Sequence, residues 1–236
     1  AKACNMVNTG NREDIYQAVT DKMNVLLDVS QQVTRSDVKK PVMTTFYNSE
    51  ANPKETFTEP QLEAFYASLD DTLPGALDVM EAINEYWDFD SDVHMWTLPD
   101  GHVAKVPVTE MTNIRIEVDE LNHRTFTYRY NKQQPSENYR SLVANIVHSV
   151  DGYVAREMVR RSHSMKIELI HIHDCFVFSP DHLQTVCQTY REILAEIANS
   201  DLLSDILSEI AGNYVPVTKH STDLAKEILN SEYMLS

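Results

Sequence analysis

The spacing of hydrophobic residues changes period along this chain, and that change restricts the folds open to it. From Ile15 to Trp87 apolar residues recur at helical spacing; from Val93 to Tyr130 they alternate; the helical period then returns. It is broken once, at Ile167 to Phe178, where β-branched and aromatic residues flank His173-Asp174 and predict strand, turn, strand. Helices interrupted by hairpins, with no strand–helix–strand alternation, point to a mixed α/β architecture of the α+β kind.

The expected elements follow in order. A first helix spans about Arg12 to Asp28, with Asn11 as candidate cap and Ile15, Val19, Met23 and Leu26 as its buried stripe. Thr34 to Tyr47 is helical, with a kink or a start expected near Pro41. Asn48 to Thr58 is polar, contains Pro53 and is expected to be loop. Pro60 to Leu69 and Ala76 to Trp87 are helices separated by Leu73-Pro74-Gly75, the second facing inward with Val79, Met80, Ile83 and Trp87. Leu98-Pro99-Asp100-Gly101 closes a first hairpin, and Leu121-Asn122-His123 lies at the tip of a longer one. Ser136 to Val159 is helical with an interruption near Val147 to Gly152. Ser179-Pro180-Asp181 opens a helix whose stripe runs from Leu183 through Val186 and Tyr190 to Ile197, and a last stripe ends at Gly212. The apolar end, Ile228 to Ser236, is expected to dock on the body.

The net charge of −16 argues against this chain gripping nucleic acid unaided, since phosphate binding depends on Lys and Arg. Five glycines leave no glycine-rich phosphate loop, and no apolar run is long enough to span a membrane. Cys4, Cys175 and Cys187 are odd in number and widely spaced, which suits a reducing cytosol better than a disulfide framework or a zinc site.

Three stretches carry chemistry. Arg35, Lys39, Met43 and Tyr47 are each four apart, so a helix sets them along one slowly turning face. Two cations one turn apart suit a polyphosphate; the thioether and the phenol beyond suit a base and a sugar. A solvated basic edge running into a packed Met and Tyr would have the same spacing. His148 beside Ser149 is by default a core or capping histidine, and Tyr16 a packing residue at a helix edge. Arg156, Arg160 and Arg161 put positive charge on the helix before the His173-Asp174 hairpin, a local basic density that the totals hide. Asp174 is bracketed by apolar residues. Either it closes a turn, or it is a buried carboxylate that needs a partner or a metal.

Taken in order, these stretches resemble the carboxy-terminal half of the single-subunit RNA polymerases of bacteriophages and mitochondria. Asp14-Ile15-Tyr16, the set Arg35, Lys39, Met43 and Tyr47, Val147-His148-Ser149 with Asp151-Gly152, and His173-Asp174 with Phe176 are each similar to a family segment. So is the end, Ile228-Leu229 with Ser231, Tyr233 and Leu235. The resemblance implies a right-hand polymerase fold, incomplete in this chain: a palm segment at 1–10, fingers at 11–147 with a nucleotide-binding helix at 34–48 and a projecting hairpin at 113–131, and a palm at 148–236 with a catalytic hairpin at 167–178 and a carboxy-terminal foot.

It also implies roles. Asp174 and Lys39 would be catalytic, with Asp174 a metal ligand and His173 near the catalytic centre. Arg35, Lys39, Met43, Tyr47, His148 and Tyr16 would bind substrate, Tyr47 sensing the ribose. The reaction would be template-directed nucleotidyl transfer from nucleoside triphosphates to an RNA 3′ end with two Mg2+ ions, on a DNA template, in the cytoplasm of an infected bacterial host. The family's first catalytic aspartate is expected just upstream of a stretch like Ala1 to Tyr16. The chain would therefore be a fragment, or take that residue from a second polymerase subunit, as in two-subunit podophage enzymes for middle genes, where a phage-encoded recruiting factor would also act. The Ala1 end is then expected close to Asp174. Asn48 stands where the family usually has Gly, which predicts a shifted Tyr47 backbone. A related DNA polymerase, or a non-catalytic partner- or DNA-binding module on a polymerase fold, are the alternatives.

Overall fold

The computed structural model describes residues 1–132, 141–219 and 221–234. Four helices come first: α1 (Ile15–Leu26), α2 (Arg35–Thr45), α3 (Ala51–Thr56) and α4 (Glu59–Thr72). Val19, Met23, Val38, Val42, Phe65 and Leu69 form their shared core. Asp14, not Asn11, caps α1, accepting from the amides of Tyr16 and Gln17. The stripe of α1 turns away before its end: Leu26 faces solvent and Leu27, just past the helix, is buried instead. Helix α2 starts at Arg35, six residues before Pro41, and runs through that proline. The Thr34 amide and hydroxyl both donate to the Asp37 carboxylate, which fixes the start. Residues 51–56, expected as loop, are helical because Pro53 falls in the first turn, where its missing N–H has no partner to lose.

Helix α5 (Ala76–Asn84) follows, entered through Gly75 at φ 78°. Its Ile83 is buried, as is Trp87 just beyond it, but Val79 is exposed. Three antiparallel hairpins then stand as separate two-stranded sheets. Strands β1 (Val93–Thr97) and β2 (Val103–Pro107) pair from Val93↔Pro107 to Thr97↔Val103. Strands β3 (Glu110–Val118) and β4 (Arg124–Lys132) form the long ribbon, with Ile114 opposite Tyr128 and Ile116 opposite Phe126. Strands β5 (Leu169–Ile172) and β6 (Cys175–Phe178) form the third.

Helix α6 (Ser141–Ser164) joins the two remaining cores, and helices α7 (Leu183–Asn199), α8 (Leu202–Ala211) and α9 (Leu224–Leu229) complete the body. Leu142, Val143 and Ile146 of α6 pack with Trp96, Leu98, Val106 and Ile206. Val154 and Met158, further along, pack with Ile167, Val186 and Ile193, against which Leu169, Phe176 and Phe178 of the third hairpin lean. Leu183 is exposed, so the α7 stripe begins at Val186. The stretch of α6 expected before Ser141 lies outside the described residues, as do Leu235 and Ser236 of the carboxy-terminal end. The part of that end that is described does dock: Ile228 is fully buried, and Met234 packs with Met6 against Ala195, Ala225 and Ile228.

The expected interruption of α6 is absent. Ser149 keeps its hydroxyl within the helix, donating to the Ile146 carbonyl and accepting from Trp96 Nε1 at 2.9 Å. Gly152 is where Arg156 folds back: a Cβ there would meet Arg156 Nη1 at 3.2 Å. The arginines of α6 do not form a free basic patch. Arg156 donates to both oxygens of Asp100 in the first hairpin turn. Arg160 and Arg161 both bond Glu157, and Arg161 also reaches Glu196 on α7. Glu157 is buried, so without these guanidinium groups its charge would be stranded.

The hydrogen bond from Arg160, followed by that from Arg161 and both charges, outweighs burial and holds the Glu157 carboxyl below its usual value. A carboxyl held low in the folded chain adds stability above its unfolded value of about 4.3, and loses it as pH falls through the folded value. We expect Glu157→Gln to lower unfolding free energy at pH 7 by about 1–3 kcal/mol in urea titrations. That deficit should shrink below about pH 4. A deficit of equal size at pH 7 and pH 3 would show that shape, not charge, is what Glu157 contributes.

Candidate active site

The third hairpin turns through His173 and Asp174 alone, since Ile172 pairs directly with Cys175. The left-handed position belongs to His173, at φ 57°, rather than to Asp174. Histidine tolerates that region better than most residues do. Asp174 is not buried; it is exposed at the tip of the turn. Of the two readings left open by its apolar neighbours, the turn residue is the one the structure shows. Those neighbours split between two faces of a two-stranded sheet: Leu169, Phe176 and Phe178 pack inward, while Ile170 and Ile172 are 66% and 63% exposed.

Asp174 borders a cavity of about 420 Å3, lined also by Tyr47, His148, Asp151, His171, His173 and Tyr190. Helix α6 supplies His148 and Asp151 one turn apart, α7 supplies Tyr190, and Tyr47 enters from the end of α2. Tyr47 stacks on His148 with ring centres 4.8 Å apart and planes 9° from parallel. This contact joins the first helical cluster to α6. Asn48, following Tyr47, takes the left-handed conformation at φ 61° that a glycine would adopt without strain. Its side-chain amide donates to Asn84 Oδ1 at 2.9 Å. Asparagine is therefore the side chain that keeps the turn after Tyr47.

Tyr190 stands edge-on to Phe176, at 6.2 Å. Burial first, and then the charges of Asp151 and Asp174, push its phenol up, so it stays a neutral hydroxyl facing two carboxylates. Sequence reasoning placed Tyr190 in the buried stripe of α7, had Asp151 only as part of the Asp151-Gly152 segment similar to the family, and left His171 without a role. The signal for Asp151 was its position three residues after His148, on the same helix face.

Two of the three cations of α2 converge on Tyr16. Arg35 lies 5.3 Å from its ring centre and Lys39 Nζ 5.9 Å. Burial, then the Asp14 charge, push the Tyr16 phenol up against the opposing pull of Arg35; the Tyr47 hydroxyl is close enough to add a small contribution. Met43 is exposed on the same helix. Lys39 has no ion-pair partner among the described residues. At the amino end, the Asn5 carbonyl accepts from Ser231, and Met6 packs against α7 one to two turns from Tyr190. These contacts tie the amino end to the carboxy-terminal segment and to the small core between α7 and α9.

Asp174 offers the hard oxygen that a magnesium ion prefers, and Asp151 is the cavity's second carboxylate. A closer convergence of metal-ligating types lies elsewhere. Glu117, Asp119 and His123 meet at the ribbon tip, where His123 Nδ1 lies 2.9 Å from Glu117 and 3.1 Å from Asp119. All three are exposed, and the ion pairs account for their approach. No helix of the described residues is long and apolar enough to cross a membrane.

The model of the DNA-dependent RNA polymerase family matches residues 85–234, more than half of the chain. This chain belongs to that family. Among curated proteins none matches it. The matched segment contains His148, His173 and Asp174, whereas Tyr16, Arg35, Lys39, Met43 and Tyr47 precede it.

Asp174 is exposed at a turn, so its charge contributes little to folding. Asp174→Asn should shift the melting temperature by no more than about 2 °C in calorimetry. A larger loss would give Asp174 a structural role that the geometry does not suggest.

Proposed function

We propose that this chain forms part of a DNA-directed RNA polymerase active site, with Asp174 as the metal-binding carboxylate and the α2 cations as the triphosphate holders. One observation supports this above the rest: Tyr47, His148, His173 and Asp174 border a single cavity, although they come from three separate parts of the sequence. Arg35 and Lys39 would hold the phosphates of an incoming nucleotide, and Met43 would lie by its base. Tyr47, held flat by His148, would place its hydroxyl toward the sugar and distinguish ribose from deoxyribose. Asp174, with His173 beside it, would sit where the 3′ end meets the α-phosphate. Two magnesium ions would supply the positive charge that in-line phosphoryl transfer needs.

We propose further that another polypeptide packs on the open face of the third hairpin and brings an additional carboxylate. Ile170, Ile172 and Val177 are all more than half exposed there, as at an interface. Such an obligate interface would bury on the order of 2,000 Å2 or more. The β3–β4 ribbon would reach the DNA, as Arg115, Arg124 and Arg129 have no ion-pair partners among the described residues. The palm-and-fingers division belongs to the same proposal.

The test is ribonucleotide incorporation on a primed single-stranded DNA template with Mg2+, by the chain alone and with proteins that co-purify from its source. Incorporation only with the partner is expected, and incorporation by the chain alone would remove the shared site. Asp174→Asn should reduce the rate by about a thousandfold or more. A normal rate for that variant at saturating Mg2+ would end the ligand role. Tyr47→Phe should keep the ribonucleotide rate and relax discrimination against deoxyribonucleotides; unchanged discrimination would remove Tyr47 from sugar sensing.

A further inference from the structure

We propose that Asp14 is a positioning residue for the triphosphate: it fixes the Arg35 guanidinium so that its two terminal nitrogens face the phosphates. The inference rests on the reading of Arg35 and Lys39 as triphosphate holders.

The two oxygens of the Asp14 carboxylate have separate tasks. Oδ1 accepts from the amides of Tyr16 and Gln17, at 3.0 and 3.2 Å, and so closes the start of α1. Oδ2 accepts from Arg35 Nε at 2.7 Å, and Arg35 is the first residue of α2. One carboxylate therefore ties two helix starts together across 21 residues of chain. Burial alone would push this carboxyl up, but the Arg35 hydrogen bond, the two amides and the Arg35 charge hold it low. It stays ionised at neutral pH.

The choice of nitrogen matters. A guanidinium presents five donors in a rigid plane, and its two terminal nitrogens form one edge that suits a phosphate bidentately. With Nε engaged by Asp14 and the plane held near the Tyr16 ring, that edge stays available, while Lys39 follows one turn later near the same ring. Without Asp14 the long Arg35 side chain, half exposed, would sample other rotamers.

Simple electrostatics expects the reverse effect. An acid beside an anion site repels the anion, so removing it should tighten binding. The direction of change therefore decides between repulsion and positioning. Asp14→Asn is the informative variant, because asparagine caps a helix as well as aspartate does and α1 should survive. ATP with Mg2+, and adenosine as the phosphate-free control, would be titrated into the full chain by calorimetry, with circular dichroism to check folding. We expect Asp14→Asn to weaken ATP binding about threefold to fivefold, the modest size reflecting an exposed ion pair, and to leave adenosine binding unchanged. Added to Arg35→Ala, the same substitution should give no further weakening, which a purely structural role would not produce. In the extension assay KM for the nucleotide should rise and kcat hold. ATP binding that is unchanged or tighter in Asp14→Asn, while Arg35→Ala and Lys39→Ala weaken it, overturns the positioning role. If those two alanine variants also bind ATP normally, the triphosphate reading itself falls, and the positioning role with it.

Discussion

Helix α6 has to serve two cores at once, and most of the structure follows from how it does so. Its first turns pack on the Trp96 hairpin and α8; its later turns pack on α7 and the hairpin that carries Asp174. His148, Asp151, Gly152, Val154 and Ala155 border the cavity, at the seam where the helix passes from the first core, which still takes Tyr153, to the second, which begins at Val154. Trp96 Nε1 binds Ser149 on one side of that seam, and Asp100 binds Arg156 one turn past it. The first hairpin thus clamps α6 at two points on either side of Gly152. The Arg161–Glu196 pair then ties α6 to α7, whose Tyr190 borders the same cavity as Asp174.

The charge distribution has a consequence for chemistry. In a chain of net charge −16, each of the three α6 arginines is bound to a carboxylate within the fold. They contribute rigidity and leave little field for an anion. Lys39, without an ion-pair partner among the described residues, and Arg35 meet instead at the Tyr16 ring. In the proposed reading that pair would suit a small, highly charged ligand, while a long phosphate backbone requires charge spread along its length, as on the ribbon arginines.

How far the sequence disclosed this depends on whether a feature was local. Strand periods, hairpin turns and the spacing of Arg35, Lys39 and Tyr47 are set by neighbours in the chain, and they are legible. The helical cap at Asp14 was misplaced to Asn11 because both are good caps and only Asp14 gains Arg35 as a second partner. The α6 arginines were misjudged because Asp100 and Glu196, which neutralise two of them, lie 56 and 35 residues away. Apolar neighbours left open whether Asp174 closes a turn or is buried, because the sequence does not show that in a two-stranded sheet half of those neighbours face outward. Tyr190 carries no signal of function by itself, and Asp151 only its place in the segment after His148; the fold shows that they border the same cavity as Asp174.

Two left-handed residues flank the cavity, Asn48 after Tyr47 and His173 before Asp174. Neither is glycine, and each holds a conformation that most side chains resist. Such strain persists only where surrounding contacts over-determine the backbone. At Asn48 the Asn84 hydrogen bond and the Tyr47–His148 stack supply those contacts. At His173 the described contacts are fewer: one sheet face packs on α6 and α7, while Ile170, Ile172 and Val177 stay open to solvent. A two-stranded hairpin with one uncovered apolar face is marginal by itself. It can hold a strained two-residue turn, and a carboxylate at its tip, far better once a surface covers that face. In the proposed reading the second polypeptide would cover the same hairpin that carries Asp174, so that covering that face and fixing the carboxylate would be a single event.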